Sequence, residues 1–211
     1  MGVLALLKPK FEDRALNIAL GLSALSWAVF GFLKADPEAR YTLVRLGITA
    51  LNACVGGLFI GRDMAVKYAS PRAFLFCLPS FVASGAALKL APAAQLWPPG
   101  ASLLFCAGTL FTIIALLSLG KCFGLLPAAR GLKTRGPFRW IRHPAYAGEL
   151  VMLIACAWAG EKPALGFTIT LCALAFLSLR IRIEETLLSQ TFAEYNEYKE
   201  RVKYRLLPYI W

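Results

Sequence analysis

The chain has 211 residues, of which 58% are hydrophobic and only 17% charged, with a mean hydropathy of +0.61. Such a composition is too apolar for an ordinary water-soluble domain and reads as an all-α, polytopic membrane protein. A formal charge of +11 would suit a nucleic-acid binder, but the placement of the basic residues encodes membrane orientation instead, and no nucleic-acid partner is expected.

The first stretch, MGVLALLKPKFEDR, has too short an apolar run, and no small-residue cleavage site, for a removable signal peptide. Leu6 stands where a myristoylation pattern wants Ser or Thr, and the terminal PYIW is not a prenylation box, so no lipid anchor is expected. Crossing a hydrocarbon core of about 30 Å takes about 20 mostly apolar residues. Runs near that length lie at residues 15–33, 43–61, 73–91, 101–119, 145–160 and 163–179, which predicts five or six spans, six being preferred. With the N-terminus in the cytoplasm, six spans leave only Lys34, Arg40, Arg45, Lys89 and Lys162 of the 23 Lys and Arg residues at or near the outer side, and both termini inside.

Residues 1–119 read as a four-span scaffold half. Gly57 and Gly61 form a G-x-x-x-G pair, which predicts a close helix contact. Arg45 and Lys89 sit near the outer ends of their spans, where long side chains snorkel to the interface. The six cysteines form no C-x-x-C pair and five lie in predicted spans, so they read as small buried hydrophobes. With a single histidine besides, no metal site is expected.

Residues 120–211 carry nearly all the polar chemistry and read as the catalytic half: a basic loop, a helical hairpin and a C-terminal helix. The loop over residues 121–142 holds Lys121, Arg130, Lys133, Arg135, Arg139 and Arg142, and no acid. Pro144 suits the first turn of a helix and pushes His143 out of the α region, so the fifth span should start with His143 as its cap. A helix N-terminus beside Arg135, Arg139 and Arg142 predicts a cytoplasmic pocket for a small ligand bearing a carboxylate or phosphate. Tyr146 and Glu149 share a face of this helix. A carboxylate that far into an apolar helix is costly unless partnered, which makes Glu149 a functional candidate; the plainer alternative is that it is simply hydrated near the interface.

Only Glu161 and Lys162 separate the last two spans, so their arms must return side by side. Arg180 and Glu184 share one helical face, with Arg182 and Glu185 turned away from it. In isolation this R-x-x-x-E spacing reads as a surface ion pair worth a few tenths of a kcal/mol. The hairpin changes that reading by bringing His143, Tyr146, Arg180 and Glu184 to one depth. Beyond it, residues 182–203 place Leu188, Thr191, Phe192, Tyr195, Tyr198 and Val202 in one apolar stripe. That helix either lies at the membrane interface or folds back as a lid, and Pro208 ends any continuation.

The segments GLKTRGPFRWIRHPAYAGEL, RIRIEE and FAEYNEYKERVKYRLLP together resemble the isoprenylcysteine carboxyl methyltransferase family of membrane-embedded, S-adenosylmethionine-dependent enzymes, to which phospholipid N-methyltransferases are distantly similar. The resemblance covers about the last ninety residues, and the first half shares only its hydrophobic character. It implies S-adenosylmethionine as cofactor, membrane lipids and a lipophilic methyl acceptor as partners, and a role for each matching residue. Leu132 and Lys133 would line the cofactor through their backbone, and Phe138 would cover it. His143, Pro144, Ala145 and Tyr146 would form the His-Pro-x-Tyr element beside it, and Glu184 would contact it. Arg180 would face a substrate carboxylate. Lys133 replaces a usual valine and Phe138 lacks the usual tyrosine hydroxyl.

If the acceptor is a carboxylate, as in an isoprenylcysteine, no general base is needed; an amine or phenol would use one, with His143 or Glu149 the candidates. A phospholipid amine, a phenolic lipid and a small thiol stay open beside the favoured carboxylate. Two other classes fit the sequence less well. A transporter finds no internal repeat or paired broken helices in the chain. A lipid or sterol reductase shares a His-Pro-x-Tyr segment, but the chain is short for one.

Overall fold

The computed structural model describes residues 3–211, with side chains from Arg14 onward apart from those of Pro71 and Phe74. The targeting patterns read on residues 1–13, and the charges of Lys8 and Lys10, lie outside the described side chains. Eight helices follow in chain order: α1 (Val3–Leu33), α2 (Pro37–Arg40), α3 (Leu43–Gly61), α4 (Pro71–Leu90), α5 (Pro99–Leu119), α6 (Pro144–Ala159), α7 (Pro163–Thr191) and α8 (Glu194–Arg201). Four of the six predicted spans are long and apolar enough to cross a membrane, and two, Leu75–Leu90 and Pro144–Ala159, are shorter. The protein is therefore a polytopic helical membrane protein, as its composition implied. At 16 residues, α6 is about 24 Å long, less than the hydrocarbon core.

Local chemistry explains the boundaries. Thr42 and Ser70 cap α3 and α4 by accepting the amides of Arg45 (3.3 Å) and Ala73 (3.2 Å). Proline opens α4, α5, α6 and α7, where its missing N–H would have no partner in any case. Gly120, at φ 53, ends α5 in a conformation that costs other residues a steric penalty.

The helices pack α1 on α3, α3 on α5, α5 on α6, and α7 on both α6 and α4. Small residues set the closest crossings, but not where the G-x-x-x-G spacing predicted. A Cβ on Gly57 or Gly61 would meet nothing within 4 Å. The tight crossings are instead Gly21 against Gly56, where a Cβ on Gly56 would sit 2.9 Å from the Gly21 carbonyl, and Gly108 against Gly148, where a Cβ on Gly108 would sit 2.9 Å from the Gly148 carbonyl. The motif marks a smooth helix face without saying which face meets a neighbour. A two-residue antiparallel pair, β1 (Lys67–Tyr68) with β2 (Ala128–Ala129), ties the α3–α4 connection to the basic loop.

The C-terminal region differs from its sequence reading. No separate helix begins near residue 182; α7 runs unbroken to Thr191 because nothing between residues 163 and 191 interrupts its hydrogen-bonded ladder. Phe192 is extended (φ −125, ψ 115) and breaks it, and α8 then folds back so that Tyr195 and Tyr198 are buried against Phe138 and Val202. Of the two placements open from sequence, this packing corresponds to the fold-back over the bundle.

Candidate active site

The α6–α7 hairpin brings together the four residues expected to converge. His143 caps α6 by position; its ring stacks on that of Tyr146, with centroids 5.6 Å apart and planes 6° from parallel. The Tyr146 hydroxyl donates to Glu184 Oε2 at 2.7 Å, and the Arg180 guanidinium lies over the Tyr146 ring, 4.8 Å from its centroid. Arg180 and Glu184 form no ion pair with each other among the described residues, so the surface-pair reading fails. Arg180 is buried, held between the Phe81 and Tyr146 rings, and it donates to the Leu125 carbonyl.

Two cavities meet at Tyr146. The first encloses about 790 Å³, counting its open mouth, and all eight predicted cofactor residues line it: Leu132, Lys133, Phe138, His143, Pro144, Ala145, Tyr146 and Glu184. Tyr195 and Tyr198 of α8 close one side, and the Tyr198 hydroxyl donates to the Phe138 carbonyl at 2.7 Å. Burial pushes both phenols above the usual tyrosine range, and the Glu185 charge adds to the rise at Tyr195. The second cavity, about 1820 Å³ on the same measure, is walled by apolar residues of α3, α4, α5 and α6, and Glu149 and Arg180 line it. Leu116, Gly124, Ala145 and Tyr146 belong to both walls. The two chambers therefore share part of their walls, Tyr146 among them.

The basic loop does less than its composition suggested. Arg142 is buried and committed to Glu185, with Nε at 2.6 Å from Oε1. Arg135 and Arg139 line a separate surface hollow with Arg201. Among the described residues, Lys133 lines the first cavity without an ion pair.

Sequence reasoning missed the buried clamp behind the site. Glu185, read as turned away, accepts from Arg142 Nε (2.6 Å) and Arg205 Nε (3.0 Å), and lies 3.3 Å from His143 Nε2. The backbone amides of Arg142 and His143 donate to the carbonyls of Tyr204 and Arg205, both at 2.9 Å. Helix α7, the start of α6 and the C-terminal strand of chain are thus locked at one carboxylate. The doubled glutamate at 184–185 was the available signal: two adjacent acids on one helix face in different directions and need different partners.

Residues 100–195 match the phospholipid methyltransferase family. Two probable protein-S-isoprenylcysteine O-methyltransferases of rice, from Oryza sativa subsp. indica and subsp. japonica, are each 38% identical over 80 residues. The aligned region spans 37% of this chain and 41% of each rice protein. By structure, the likeness extends further. The solved eukaryotic intramembrane Ras methyltransferase, isoprenylcysteine carboxyl methyltransferase, shares the fold over 100% of this chain and 88% of its own, with a TM-score of 0.52 and 19% identity. The family region takes in α5 as well as everything from the basic loop to the start of α8, which agrees with the tight α5–α6 crossing at Gly108 and Gly148.

Proposed function

We propose that the protein is an S-adenosylmethionine-dependent methyltransferase that methylates a lipophilic acceptor in the membrane, with an isoprenylcysteine-type carboxylate as the favoured acceptor. The observation that carries this reading is the pair of cavities that share Tyr146 in their walls, one bearing Lys133, His143 and Glu184 and the other largely apolar. A water-soluble donor and a lipid-soluble acceptor need such a meeting place.

The residues of the first cavity fit the cofactor chemically. Glu184, half-buried, suits an ammonium or sugar hydroxyls; Lys133 and the first-turn amides of α6 suit a carboxylate; Leu132, Phe138, Leu188 and the two α8 tyrosines suit a flat, apolar base. When bound, S-adenosylmethionine supplies a methyl group whose C–S bond breaks as a C–O bond to the acceptor forms, leaving a neutral thioether. The chain's own contribution is positioning and exclusion of water. Arg180 would hold the acceptor's anionic oxygens from the apolar side, Tyr146 would set the distance between the two chambers, and the α8 lid would shut out bulk water. A carboxylate is ionised at neutral pH, so no base is required for it. In this reading His143 has its Nε2 beside Glu185 and orients Tyr146, and Glu149 faces the acceptor.

A phospholipid amine is the second reading, favoured by the family that residues 100–195 match and by a carboxylate, Glu149, in the acceptor chamber. The end of the bundle that bears the basic loop would face the cytoplasm, with both termini on that side.

The test uses purified protein in lipid with methyl-labelled S-adenosylmethionine and a panel of farnesylcysteine, phosphatidylethanolamine, phenolic lipid and thiol acceptors. Arg180→Ala should abolish turnover and leave cofactor affinity within a few-fold, whereas Glu184→Ala should weaken cofactor binding about tenfold or more. Calorimetry giving the reverse order would overturn the assignment.

A further inference from the structure

Three arginines converge on a hollow that the proposed reaction leaves unused. Arg135 and Arg139 of the basic loop and Arg201, the last residue of α8, line it with Thr134 and Gly136, and no acid lines it. It encloses about 940 Å³, counting its open mouth. Among the described residues none of the three guanidinium groups forms an ion pair. Arg201 also borders a second hollow that holds Glu194 and Glu197, and it pairs with neither.

Other basic residues of the loop are placed differently. Arg142 pairs with Glu185, Arg130 donates to the Asp63 carbonyl at 3.1 Å, and Lys133 lines the first cavity. Three positive groups around one open hollow repel one another, modestly while water screens them, and an anion between them turns that repulsion into attraction. Guanidinium geometry selects among anions, because each group presents a planar fork of donors to a pair of oxygens. A carboxylate offers only two oxygens. A phosphate monoester offers three terminal oxygens and a second negative charge, which suit three forks, with the Thr134 hydroxyl as a further donor.

The surroundings favour a lipid as the bearer of that group. Trp140, beside Arg139, is 67% exposed, and Tyr209 and Ile210 are exposed as well. The Tyr209 ring lies on that of Tyr204, with centroids 5.2 Å apart, and the Tyr204 carbonyl accepts the Arg142 amide, so these side chains belong to the same end of the bundle. Aromatic residues beside basic ones suit the headgroup layer of a bilayer.

We propose that the hollow between the basic loop and α8 binds a phosphate monoester group, held by Arg135, Arg139 and Arg201. An anion there bridges the loop to α8 beside the first cavity, because Arg139 follows Phe138 and Arg201 lies one turn beyond Tyr198, and both Phe138 and Tyr198 line that cavity. The site is separate from the acceptor chamber, and neither it nor its test depends on the methyltransferase reading. Two sources share the chemistry: an anionic lipid with a phosphate monoester headgroup, which the exposed aromatic fringe favours, and a soluble phosphate.

Calorimetry on the detergent-solubilised full chain, without S-adenosylmethionine, compares dihexanoylphosphatidic acid with dihexanoylphosphatidylcholine and with inorganic phosphate. From either source the group is the same, so phosphatidic acid should bind about tenfold tighter or more than the choline lipid, whose phosphate is a diester neutralised by its own cation. In an Arg139→Gln, Arg201→Gln double variant that ratio should fall to within about twofold. An Arg72→Gln, Lys121→Gln double variant removes the same charge outside the hollow and should keep the parent's ratio. A ratio of two affinities is independent of how much of a variant preparation is folded. Inorganic phosphate binding as tightly as phosphatidic acid names a soluble source, and weaker binding names the lipid. Equal affinities for the two lipids, a preference that persists without Arg139 and Arg201, or an equal loss in the charge-matched control would overturn the proposal.

Discussion

Adjacent glutamates at the end of α7 should fail in opposite ways. The Glu185 side chain is 7% exposed and meets Arg142 at 2.6 Å, Arg205 at 3.0 Å and the His143 ring at 3.3 Å. Glu185→Ala removes the shared anion and leaves two guanidinium groups facing each other, one of them buried. Breaking a buried ion pair from one side costs about 3–5 kcal/mol. For a chain of this size each kcal/mol moves the Tm by about 2–4 °C, so Glu185→Ala should lower it by about 6–20 °C. Glu184 is half-buried and, among the described residues, has one hydrogen-bond partner, the Tyr146 hydroxyl at 2.7 Å. Its loss should cost about 1 kcal/mol, a shift of about 2–4 °C, while cofactor binding suffers strongly. Thermal unfolding in one detergent, paired with calorimetry of S-adenosylmethionine binding, reads both quantities. Equal Tm losses in the two variants, or a larger loss in Glu184→Ala, would refute the division into a clamp and a site residue.

A methyl group at the α5–α6 crossing should be poorly tolerated: in Gly148→Ala the new Cβ would lie 2.7 Å from the Gly108 carbonyl and 2.9 Å from the Thr112 amide, so the helices must part, and the Tm should fall by several degrees. Gly57→Ala, with open space around it, should stay within about 0.5 kcal/mol of the parent in the same assay. Tyr195 and Tyr198 ionise later in the folded chain than in the unfolded one. Their contribution to stability is therefore complete below about pH 10 and declines as pH rises toward the folded values. Alkaline unfolding should accordingly be less steep in the Tyr195→Phe, Tyr198→Phe double variant than in the parent, and an identical slope would count against their burial. Tyr198→Phe alone should cost about 1 kcal/mol at neutral pH through the lost bond to the Phe138 carbonyl, measurable by denaturant titration.

The sites legible in the sequence were those whose partners are close along the chain or forced close by a short connection. Apolar runs located the four helices long enough to cross a membrane and the two shorter apolar ones because hydropathy is a local property of about 20 residues. Pro144 placed the start of α6, and the two-residue link at Glu161 and Lys162 was enough to predict that His143, Tyr146, Arg180 and Glu184 would meet. Local patterns failed wherever rotation about a helix axis or a distant partner decided the outcome. Gly57 and Gly61 had the right spacing on the wrong face, while Gly56 made the contact. The Arg180–Glu184 pair had the right spacing, yet each side chain took a partner from another element.

What the sequence alone determined, then, was the set of long apolar helices and the residue types gathered at one end. Tertiary structure decided which charges are used up and which remain free. Arg142 and Glu185 neutralise each other across 43 positions of chain, and Glu149 lines the second chamber with its Oε1 accepting from Ser84. A carboxylate's role depends on what lies within about 4 Å of it, and at that range the fold brings together residues whose separation in sequence carries no record of the meeting.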